Sequence, residues 1–348
     1  MMESRFGTHR VIEPKGSLPQ GALHLDATPI CGDTEVLIDV DVLNIDSASF
    51  HQLKEACDHD VEKMKVMIKE IVKAQGKMQN PVTKSGGMLI GTVKQVGHLY
   101  HNQSLKKGTK IATLVSLSLT PLYIEDILTI NMNNEQVSIV GSAILFDSGI
   151  YAEIPSDLDE RLVLAGLDVC GAPAQVAKLA KKNDTVFIIG AAGKSGLLCS
   201  YQAKKNVGPQ GRVIGLVNED AQASLLKEMG FVDSILIEDA KDSVAVYEKM
   251  MMLTDGQLAD LTINVVNVPS TEMTSILSTK DEGIVYLFSM ATSFTKAALG
   301  AEGVGKDVTM MIGNGYTKHH AELTLQLFRE NKKLHDYFMD KYAGGRTR

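Results

Sequence analysis

The stretch TVFIIGAAGKSGLLCSYQAKK, residues 185–205, decides the fold. It contains GKS, the last letters of a nucleoside triphosphate P-loop, but it also has the glycine spacing of a dinucleotide site. A P-loop follows the pattern G-x-x-x-x-G-K-[ST], which would place its first glycine at position 188. The chain has Ile188 there, inside an apolar run, so the sequence excludes a P-loop.

The same stretch fits the turn of a dinucleotide-binding fold. Such a turn needs a strand, closely spaced glycines and a helix that starts at once, because the pyrophosphate binds N–H groups at the helix N-terminus. The glycines follow GxxGxxG rather than GxGxxG, so an ordinary strand-to-helix turn is the alternative. Ser195 is a candidate hydrogen-bond donor to the pyrophosphate, and Lys194 is either a cofactor-loop residue or a solvated charge. The predicted cofactor-binding turn comprises Gly190, Ala192, Gly193, Lys194, Ser195 and Gly196.

Strand-like apolar runs alternate with helical patterns after this turn. The alternation predicts a parallel, doubly wound Rossmann sheet, and the glycines then fall where such sheets bind dinucleotides. The strand-like runs are TVFIIG (185–190), RVIGLV (212–217), SILI (234–237), ADLTINVV (259–266), EGIVYLFSM (282–290) and KDVTMMIG (306–313).

The second of these runs ends in RVIGLVNED, which offers Asn218, Glu219 and Asp220. An acidic residue about 20 positions beyond the glycines holds the ribose 2′-OH of NAD. Asn218 and Glu219 are the predicted cofactor ligands here, although the acids could equally cap the next helix. No Arg follows at once to accept a 2′-phosphate, so the sequence favours NAD over NADP.

Residues 1–150 are β-rich, with one amphipathic helical stretch, VEKMKVMIKEIVKAQ (61–75), between the strand-like runs. Helical patterns over residues 157–182 lead into the dinucleotide-binding region. We therefore predict an α/β chain with three parts: a β-rich substrate and catalytic domain (1–160), a Rossmann dinucleotide-binding domain (161–315) and a C-terminal helical segment (316–348).

Composition limits the class of partner. The chain has 348 residues, a net charge of −7 and a pI near 5.7, and no cluster of Lys and Arg points to nucleic acid or an anionic membrane. No apolar run reaches the ~18 residues of a membrane span, and the N-terminus has no signal-peptide core, so we expect a cytoplasmic location. The cysteines are scattered and no histidine spacing resembles a metal site, so we predict no bound metal. A small molecule is the expected partner.

The order of a β-rich domain and a GxxGxxG domain resembles the medium-chain dehydrogenase/reductase superfamily, whose N-terminal domain is GroES-like. GAAGKSG (190–196), EVLIDVDVLNIDSASF (35–50) and GGMLIGTVKQVG (86–97) resemble its quinone-reductase-like members. The zinc alcohol dehydrogenases of the superfamily carry a cysteine ligand in the loop of the second segment and a His-Glu pair in the third. This chain has LNIDSAS and SGGMLIG there, so the resemblance implies catalysis without zinc.

Longer segments resemble the L-erythro-3,5-diaminohexanoate dehydrogenase family of anaerobic lysine fermentation. The resemblance implies NAD-dependent oxidative deamination of that diamino acid to 5-amino-3-oxohexanoate, ammonium and NADH. A zinc-independent quinone or enone reductase and a non-catalytic dinucleotide sensor are the alternatives. The edge strand KDVTMMIG resembles the superfamily's pairing element and implies a homodimer. The segments are FGTHRVIEPKGSLPQ (6–20), EVLIDVDVLNIDSASF (35–50), NPVTKSGGMLIGTV (80–93), VFIIGAAGKSG (186–196) and IGNGYTKHHAELTLQLFREN (312–331).

The implied chemistry needs a neutral 3-amino group, because its lone pair stabilises the iminium that forms as hydride leaves C3. A base must neutralise that amine and then assist the attack of water. Asp46 lies in the loop that faces the nicotinamide in the superfamily, so it is the first candidate, with a turn-capping Asp as the alternative. Ser47 and His319 complete the predicted catalytic set, with structural roles in a tight loop and a helix cap as their alternatives.

Substrate binding needs Arg, Lys or backbone donors for the carboxylate, and a carboxylate or carbonyls for the distal 5-ammonium. Arg10 is the candidate for the carboxylate, with a surface salt bridge as its alternative, and Glu13 is the candidate for the ammonium. Ser85 precedes paired glycines that could approach the ligand closely or form a β-bulge. Tyr316, just after the last predicted strand, reaches either the active site or a helix cap. The predicted substrate-binding residues are thus Arg10, Glu13, Ser85 and Tyr316.

Overall fold

The computed structural model describes residues 3–289, 291–313 and 315–343. The chain divides into two compact units: the first comprises the residues up to Leu164 together with Tyr342 and Ala343, and the second spans Ala165–Lys341. The predicted boundary lies between residues 160 and 161. Met290, Asn314 and residues 344–348, predicted to belong to a strand, a turn and the C-terminal segment, lie outside the described residues.

The first unit is built on an antiparallel sheet of six strands, with a separate pair of short strands. The pair consists of β1 (Val11–Glu13) and β2 (His24–Leu25). The sheet consists of β3 (Glu35–Asn44), β4 (Met88–Val96), β5 (Lys110–Thr113), β6 (Leu122–Asn131), β7 (Gln136–Phe146) and β8 (Tyr151–Glu153), in the order β6-β7-β3-β4-β5-β8. This arrangement confirms the predicted β-rich N-terminal domain.

Two helices belong wholly to this unit: α1 (Ser47–Ala56) and α2 (Val61–Gln75). The helical spacing of apolar residues predicts a helix over residues 61–75, and α2 has these bounds. Asp60 caps its start by accepting bonds from the next amides, and Gly76 ends it with a φ of 65°. Met64, Ile68 and Val72 recur at helical spacing and are buried, which fixes the helix on the sheet core.

The helix α1 is absent from the sequence-based prediction, which treats LNIDSASF as a loop. In the structure β3 ends at Asn44, and the helix begins three residues later at Ser47, with Asp46 as its N-cap. The short hydroxyl-rich start is typical of a turn, whereas burial of Phe50 and Leu53 makes the segment helical. The first unit is therefore β-rich but not all-β.

The second unit contains a parallel six-stranded sheet. Its strands are β9 (Thr185–Ile189), β10 (Arg212–Val217), β11 (Ser234–Ile237), β12 (Ala259–Asn264), β13 (Thr279–Leu287) and β14 (Val308–Ile312). The order β11-β10-β9-β12-β13-β14 is the 3-2-1-4-5-6 order of dinucleotide-binding sheets, which confirms the predicted Rossmann fold. The chain reverses direction across the sheet between β9 and β12, and such a switch point is where these folds bind ligands.

Helices connect the strands of this sheet, and the last helix ends at Tyr342. Within the described ranges no single helix is long and apolar enough to cross a bilayer, and only α3 and α4, bent by 56°, pass that test jointly. β14 lies at the sheet edge, and the homodimer through this strand stays a prediction. The helices are α3 (Glu160–Leu167), α4 (Gly171–Leu179), α5 (Lys194–Val207), α6 (Asp220–Met229), α7 (Ser243–Leu253), α8 (Glu272–Leu277), α9 (Phe294–Val304), α10 (His320–Glu330) and α11 (Lys332–Tyr342).

Lys77, directly after α2, is completely buried in the first unit. Its Nζ donates to the carbonyl oxygens of Pro19 and Gln20, at 2.8 and 3.1 Å. Burial lowers the pKa of this ammonium to about 8. The lysine therefore ties the N-terminal segment to the end of the helix through two carbonyls rather than through an ion pair.

A buried ion pair fixes the N-terminal segment to the sheet. Arg10 donates from Nε and Nη2 to the two carboxylate oxygens of Glu35, at 2.9 and 2.5 Å, and His9 contacts the same carboxylate at 2.7 Å. Burial opposes ionisation of Glu35, but the bonds from His9 and Arg10 outweigh it and lower the pKa of this carboxyl to about 2.

We expect Glu35→Gln to destabilise the protein by about 3–5 kcal/mol, because it leaves the Arg10 charge buried without its partner. Asp39→Asn is the matched control, since Asp39 pairs with Lys94 at 2.9 Å and both side chains are half-exposed; this variant should lose under about 1 kcal/mol. Urea unfolding monitored by circular dichroism compares them. The lowered pKa means that Glu35 stabilises the fold above its ordinary pKa of 4.5, and that this contribution is lost as the pH falls towards about 2. An equal decrease in the free energy of unfolding for the two variants would show that the buried pair stabilises the protein no more than the exposed pair does.

Candidate cofactor site and active site

The glycine turn after β9 has three positions with different steric demands. Gly190 has a φ of +85°, and a Cβ there would lie 3.0 Å from Val266. A Cβ on Gly196 would lie 2.1 Å from the carbonyl oxygen of Gly190, so only glycine lets the helix start this close to the turn. At Gly193, the N-cap of α5, a Cβ would meet among the described residues only that same oxygen, at 3.4 Å. The space in front of Gly193 is therefore open.

A cavity of about 430 Å³, here called the switch-point cavity, opens in front of this turn. Gly190 and Gly193 form one wall. Residues 216–218 at the end of β10, 238–240 after β11 and 265–268 after β12 contribute to the others. All of these segments lie at the carboxyl ends of parallel strands, where a dinucleotide binds in such folds. The residues present thus fit a dinucleotide with its pyrophosphate at the N-terminus of α5.

Acidic side chains surround the far end of the switch-point cavity. Asn218 is exposed and lines it, whereas Glu219 occupies the N-cap position of α6 without a side-chain capping bond and accepts a bond from Gln222 Nε2 at 3.1 Å. Glu238 and Asp239 also line it, and the sequence analysis misses them because the motif rule considers only the second strand. Lys249 Nζ lies 2.7 Å from Glu238 and lowers the pKa of that carboxyl, so it stays anionic. Asp239 Oδ2 lies 3.6 Å from Lys241 Nζ, so each of these two carboxylates has a lysine partner.

The remaining turn residues lie as the motif requires. Ala192 is buried within the turn, and Ser195 is half-buried in the first turn of α5. Lys194 is not a solvated charge: its Nζ lies 2.7 Å from Asp168, and about three quarters of each side chain is buried. Sequence spacing gives no signal for this pair, since Asp168 stands 26 residues earlier.

In the first unit, Asp46 caps α1. One carboxylate oxygen accepts the amide of Ser49 at 3.0 Å, and the other, Oδ2, is buried and makes no hydrogen bond within the described residues. Gly87, with a φ of +101°, packs behind this turn, where a Cβ would lie 2.1 Å from the carbonyl oxygen of Asn44. Asp46 therefore does cap the helix, as the alternative interpretation predicts, but capping uses only one of its two carboxylate oxygens.

Ser85 belongs to a cluster of hydroxyl groups beside α1. Ser49 Oγ lies 2.6 Å from Thr83 Oγ1 and 2.9 Å from Ser85 Oγ, and Ser49 is completely buried. Asn80 Oδ1 shapes the loop by accepting the amides of Val82 and Thr83. The structure thus brings Ser85 to the helix that Asp46 caps.

Other predicted residues of this unit lie elsewhere. Ser47 is exposed and donates to Glu135 Oε2 at 2.7 Å, and Glu13 is exposed at the end of β1. Arg10 is buried and binds Glu35 together with the carbonyls of residues 26, 28 and 30. This is a correction to both interpretations of Arg10, because its guanidinium is committed to an internal network rather than to a substrate carboxylate or a surface pair.

Tyr316 and His319 lie at the start of α10 in the second unit. His319 is the N-cap, is mostly exposed and has a φ of 64°. Tyr316 packs edge-on against His320, with ring centroids 5.1 Å apart. His320 is buried, and burial lowers the pKa of its imidazole. His319 therefore occupies the N-cap position without a side-chain capping bond, and the buried imidazole of this segment is that of His320.

A second cavity, of about 590 Å³, lies in the first unit. Its walls come from residues 24–29, the end of α2 and residues 122–124 of β6. Asp46 and Ser85 are not part of these walls, so this larger cavity differs from the predicted catalytic loop. Within the described residues no group of three His, Cys, Asp or Glu side chains is arranged to hold a metal ion.

Comparison with known proteins identifies the family. Residues 9–155 match the family model described as the L-erythro-3,5-diaminohexanoate dehydrogenase N-terminal domain. The chain is 57% identical over 343 residues to the L-erythro-3,5-diaminohexanoate dehydrogenase of Acetoanaerobium sticklandii, covering 98% of this chain and 100% of the relative. It is 56% identical over 339 residues to the enzyme of the same name from Fusobacterium nucleatum, covering 97% and 98%.

A solved structure supports the fold. A mycobacterial protein complexed with NADPH superimposes with a TM-score of 0.55 at 18% identity, covering 90% of this chain and 83% of that one. At 18% identity, this similarity shows a shared fold and nothing about activity. The two curated relatives share more than half of their residues with this chain over nearly the full length. This chain therefore belongs to the L-erythro-3,5-diaminohexanoate dehydrogenase family and is an oxidoreductase.

Proposed function

We propose that this chain catalyses the NAD-dependent oxidative deamination of L-erythro-3,5-diaminohexanoate to 5-amino-3-oxohexanoate, ammonium and NADH, as a step of anaerobic lysine fermentation. The observation that carries the proposal is the 57% identity, over 98% of the chain, to a dehydrogenase named for that substrate. The dinucleotide fold and the glycine turn supply what such a reaction needs from the second unit.

The cofactor is a nicotinamide dinucleotide, and we propose NAD rather than NADP. The mycobacterial protein of similar fold is complexed with NADPH, so the fold by itself does not determine whether NAD or NADP binds. In this chain Glu238 and Asp239 line the switch-point cavity, with Glu219 just beyond Asn218. A 2′-phosphate placed near these carboxylates would meet like charge, whereas a 2′-hydroxyl could donate to an acceptor.

The reaction demands that the 3-ammonium of the substrate lose a proton before hydride leaves C3, because the lone pair must form the C=N bond. The bound nicotinamide accepts that hydride. We assign the proton to Asp46 Oδ2, a carboxylate oxygen that is screened from solvent and makes no hydrogen bond within the described residues. Asp46 then releases that proton to solvent, which is the proton that the overall reaction sets free, and the ionised Oδ2 can take a proton from the water that attacks the iminium carbon.

The supporting residues keep that carboxylate in place. The amide of Ser49 donates to Asp46 Oδ1, so Oδ2 is the oxygen that we assign to accept and release the proton. Ser85, in the hydroxyl cluster beside α1, has the hydroxyl that we assign to a hydrogen bond with a polar substrate group there. Water attack and loss of ammonia then give the ketone, with ammonia leaving as ammonium after taking up a proton.

The deciding experiment measures absorbance at 340 nm with the purified full chain, L-erythro-3,5-diaminohexanoate and either NAD or NADP. We expect NADH formation from the diamino acid, at least about tenfold lower kcat/KM with NADP, and little activity with simple alcohols. Consumption of NADPH with quinones or enones, and no reaction of the diamino acid, would establish the reductase alternative instead. Tight NADH binding with no turnover on any of these compounds would indicate a sensor.

A further inference from the structure

An ion pair connects the glycine turn to the segment that precedes the sheet. Lys194 is the first residue of α5, directly after Gly193, and Asp168 lies in the short connection between α3 and α4. Lys194 Nζ and Asp168 Oδ2 are 2.7 Å apart, and the two side chains are only 24% and 23% exposed. Both residues belong to the second unit, beside the wall of the switch-point cavity that Gly193 forms.

The position of Lys194 runs against the usual electrostatics of helices. A helix N-terminus carries partial positive charge and favours anions, so a lysine at the first position is unfavourable there unless negative charge is near. Elsewhere in this chain Asp46, Asp60 and Asp242 cap helix starts with carboxylates. At α5 the cap is a glycine without a side chain, and the adjacent residue adds a cation. The start of α5 therefore combines the partial positive charge of a helix N-terminus with a lysine ammonium, and Asp168 is a carboxylate that the fold brings to that ammonium.

We propose that Asp168 is a positioning residue for the cofactor: it holds the Lys194 ammonium at the start of α5, where that ammonium donates to the dinucleotide diphosphate. An ammonium has three N–H donors, so a bond to Asp168 still lets it donate to a second anion. The phosphate receives a charge-assisted bond in addition to those from the backbone N–H groups of the first turn. The proposal deepens the proposed function and rests on it only for the identity of the ligand as a dinucleotide.

The test uses ADP-ribose, which has the diphosphate but no nicotinamide, and adenosine, which has no phosphate. Isothermal titration of the full chain measures ADP-ribose, and ligand-observed NMR measures adenosine. We expect Lys194→Met to weaken ADP-ribose binding by about tenfold or more and to leave adenosine binding unchanged. Lys194→Arg, which keeps the cation, should restore binding to within about threefold of the wild type.

Two substitutions of Asp168 separate positioning from charge. Asp168→Asn keeps an oxygen acceptor for the ammonium and should bind ADP-ribose almost as the wild type does, whereas Asp168→Ala removes the acceptor and should weaken binding about tenfold. The matched control is Lys204→Met, which breaks an ion pair with Asp233 of similar exposure on the same helix and should change nothing. A variant that fails to fold would lose adenosine as well, and thermal melting identifies it.

The inference is overturned if Lys194→Met binds ADP-ribose normally, if the two Asp168 variants behave alike, or if the wild type does not bind ADP-ribose. These outcomes are independent of the deamination assay. A chain that binds ADP-ribose through Lys194 but does not oxidise the diamino acid would refute the proposed function and leave this inference standing.

Discussion

Replacement of Asp46 by asparagine is expected to lower kcat for the deamination by about 10²–10⁴-fold, the usual contribution of a general base. The affinity for NADH should not change. Asparagine also caps helices well and keeps an oxygen for the amide of Ser49, so α1 should persist. What the variant loses is the carboxylate that takes the proton from the substrate amine. Steady-state kinetics at 340 nm, with NADH titration by fluorescence, measures both quantities.

The matched control for this variant is Asp60→Asn. Asp60 caps α2 as Asp46 caps α1, although its carboxylate accepts two amides of the first helical turn, from Glu62 and Lys63, where that of Asp46 accepts the one from Ser49. It is exposed and has no assigned catalytic role, so its variant should keep wild-type kcat. Near-normal turnover in Asp46→Asn would remove Asp46 from the mechanism and leave it as a helix cap.

Replacement of Gly193 by valine is expected to abolish cofactor binding while the protein stays folded. A Cβ at this position meets, within the described residues, only the Gly190 oxygen at 3.4 Å, an ordinary contact. The side chain would instead occupy the space where the diphosphate approaches α5. We expect the Kd for NADH to rise by at least about 100-fold, or ~2.7 kcal/mol, with little change in Tm.

Two further variants delimit this effect. Gly303→Val, on the exposed side of α9 where a Cβ meets nothing within 4 Å among the described residues, should retain both binding and Tm. Gly196→Ala should lower Tm as well as binding, because its Cβ would lie 2.1 Å from the Gly190 oxygen. Retained NADH affinity in Gly193→Val would contradict the placement of the diphosphate at this turn.

Periodicity predicts the elements whose apolar pattern matches one type of structure. The strand TVFIIG, the helix after it and the helix 61–75 appear where the sequence places them, since burial on one face sets each pattern. β6 (Leu122–Asn131) was not predicted, because Glu125 and Asp126 interrupt its apolar alternation on an exposed face. α1 was not predicted either, since its helical state depends on packing in the first unit.

The residues of the site also divide into those that a local sequence pattern identifies and those that only folding brings together. The glycine turn is local in sequence, so its motif could be found from spacing alone. Asp168 beside Lys194 and Glu35 beside Arg10 are separated from their partners by 26 and 25 residues, and only the folded chain brings them together. Glu238 reaches the switch-point cavity because β11 lies next to β10, which is a property of strand order rather than of any motif.

Lys77 offers a practical consequence of its burial. Burial both lowers the pKa of this amine to about 8 and shields it completely from reagents in the folded chain, so opening that exposes the amine also returns its pKa towards that of an ordinary lysine. An amine-reactive label would therefore reach it only when the contact with residues 19–20 opens. The labelling rate of this one side chain, followed by mass spectrometry, thus measures the rate of local opening of the first unit, and it does so without any need for catalytic turnover.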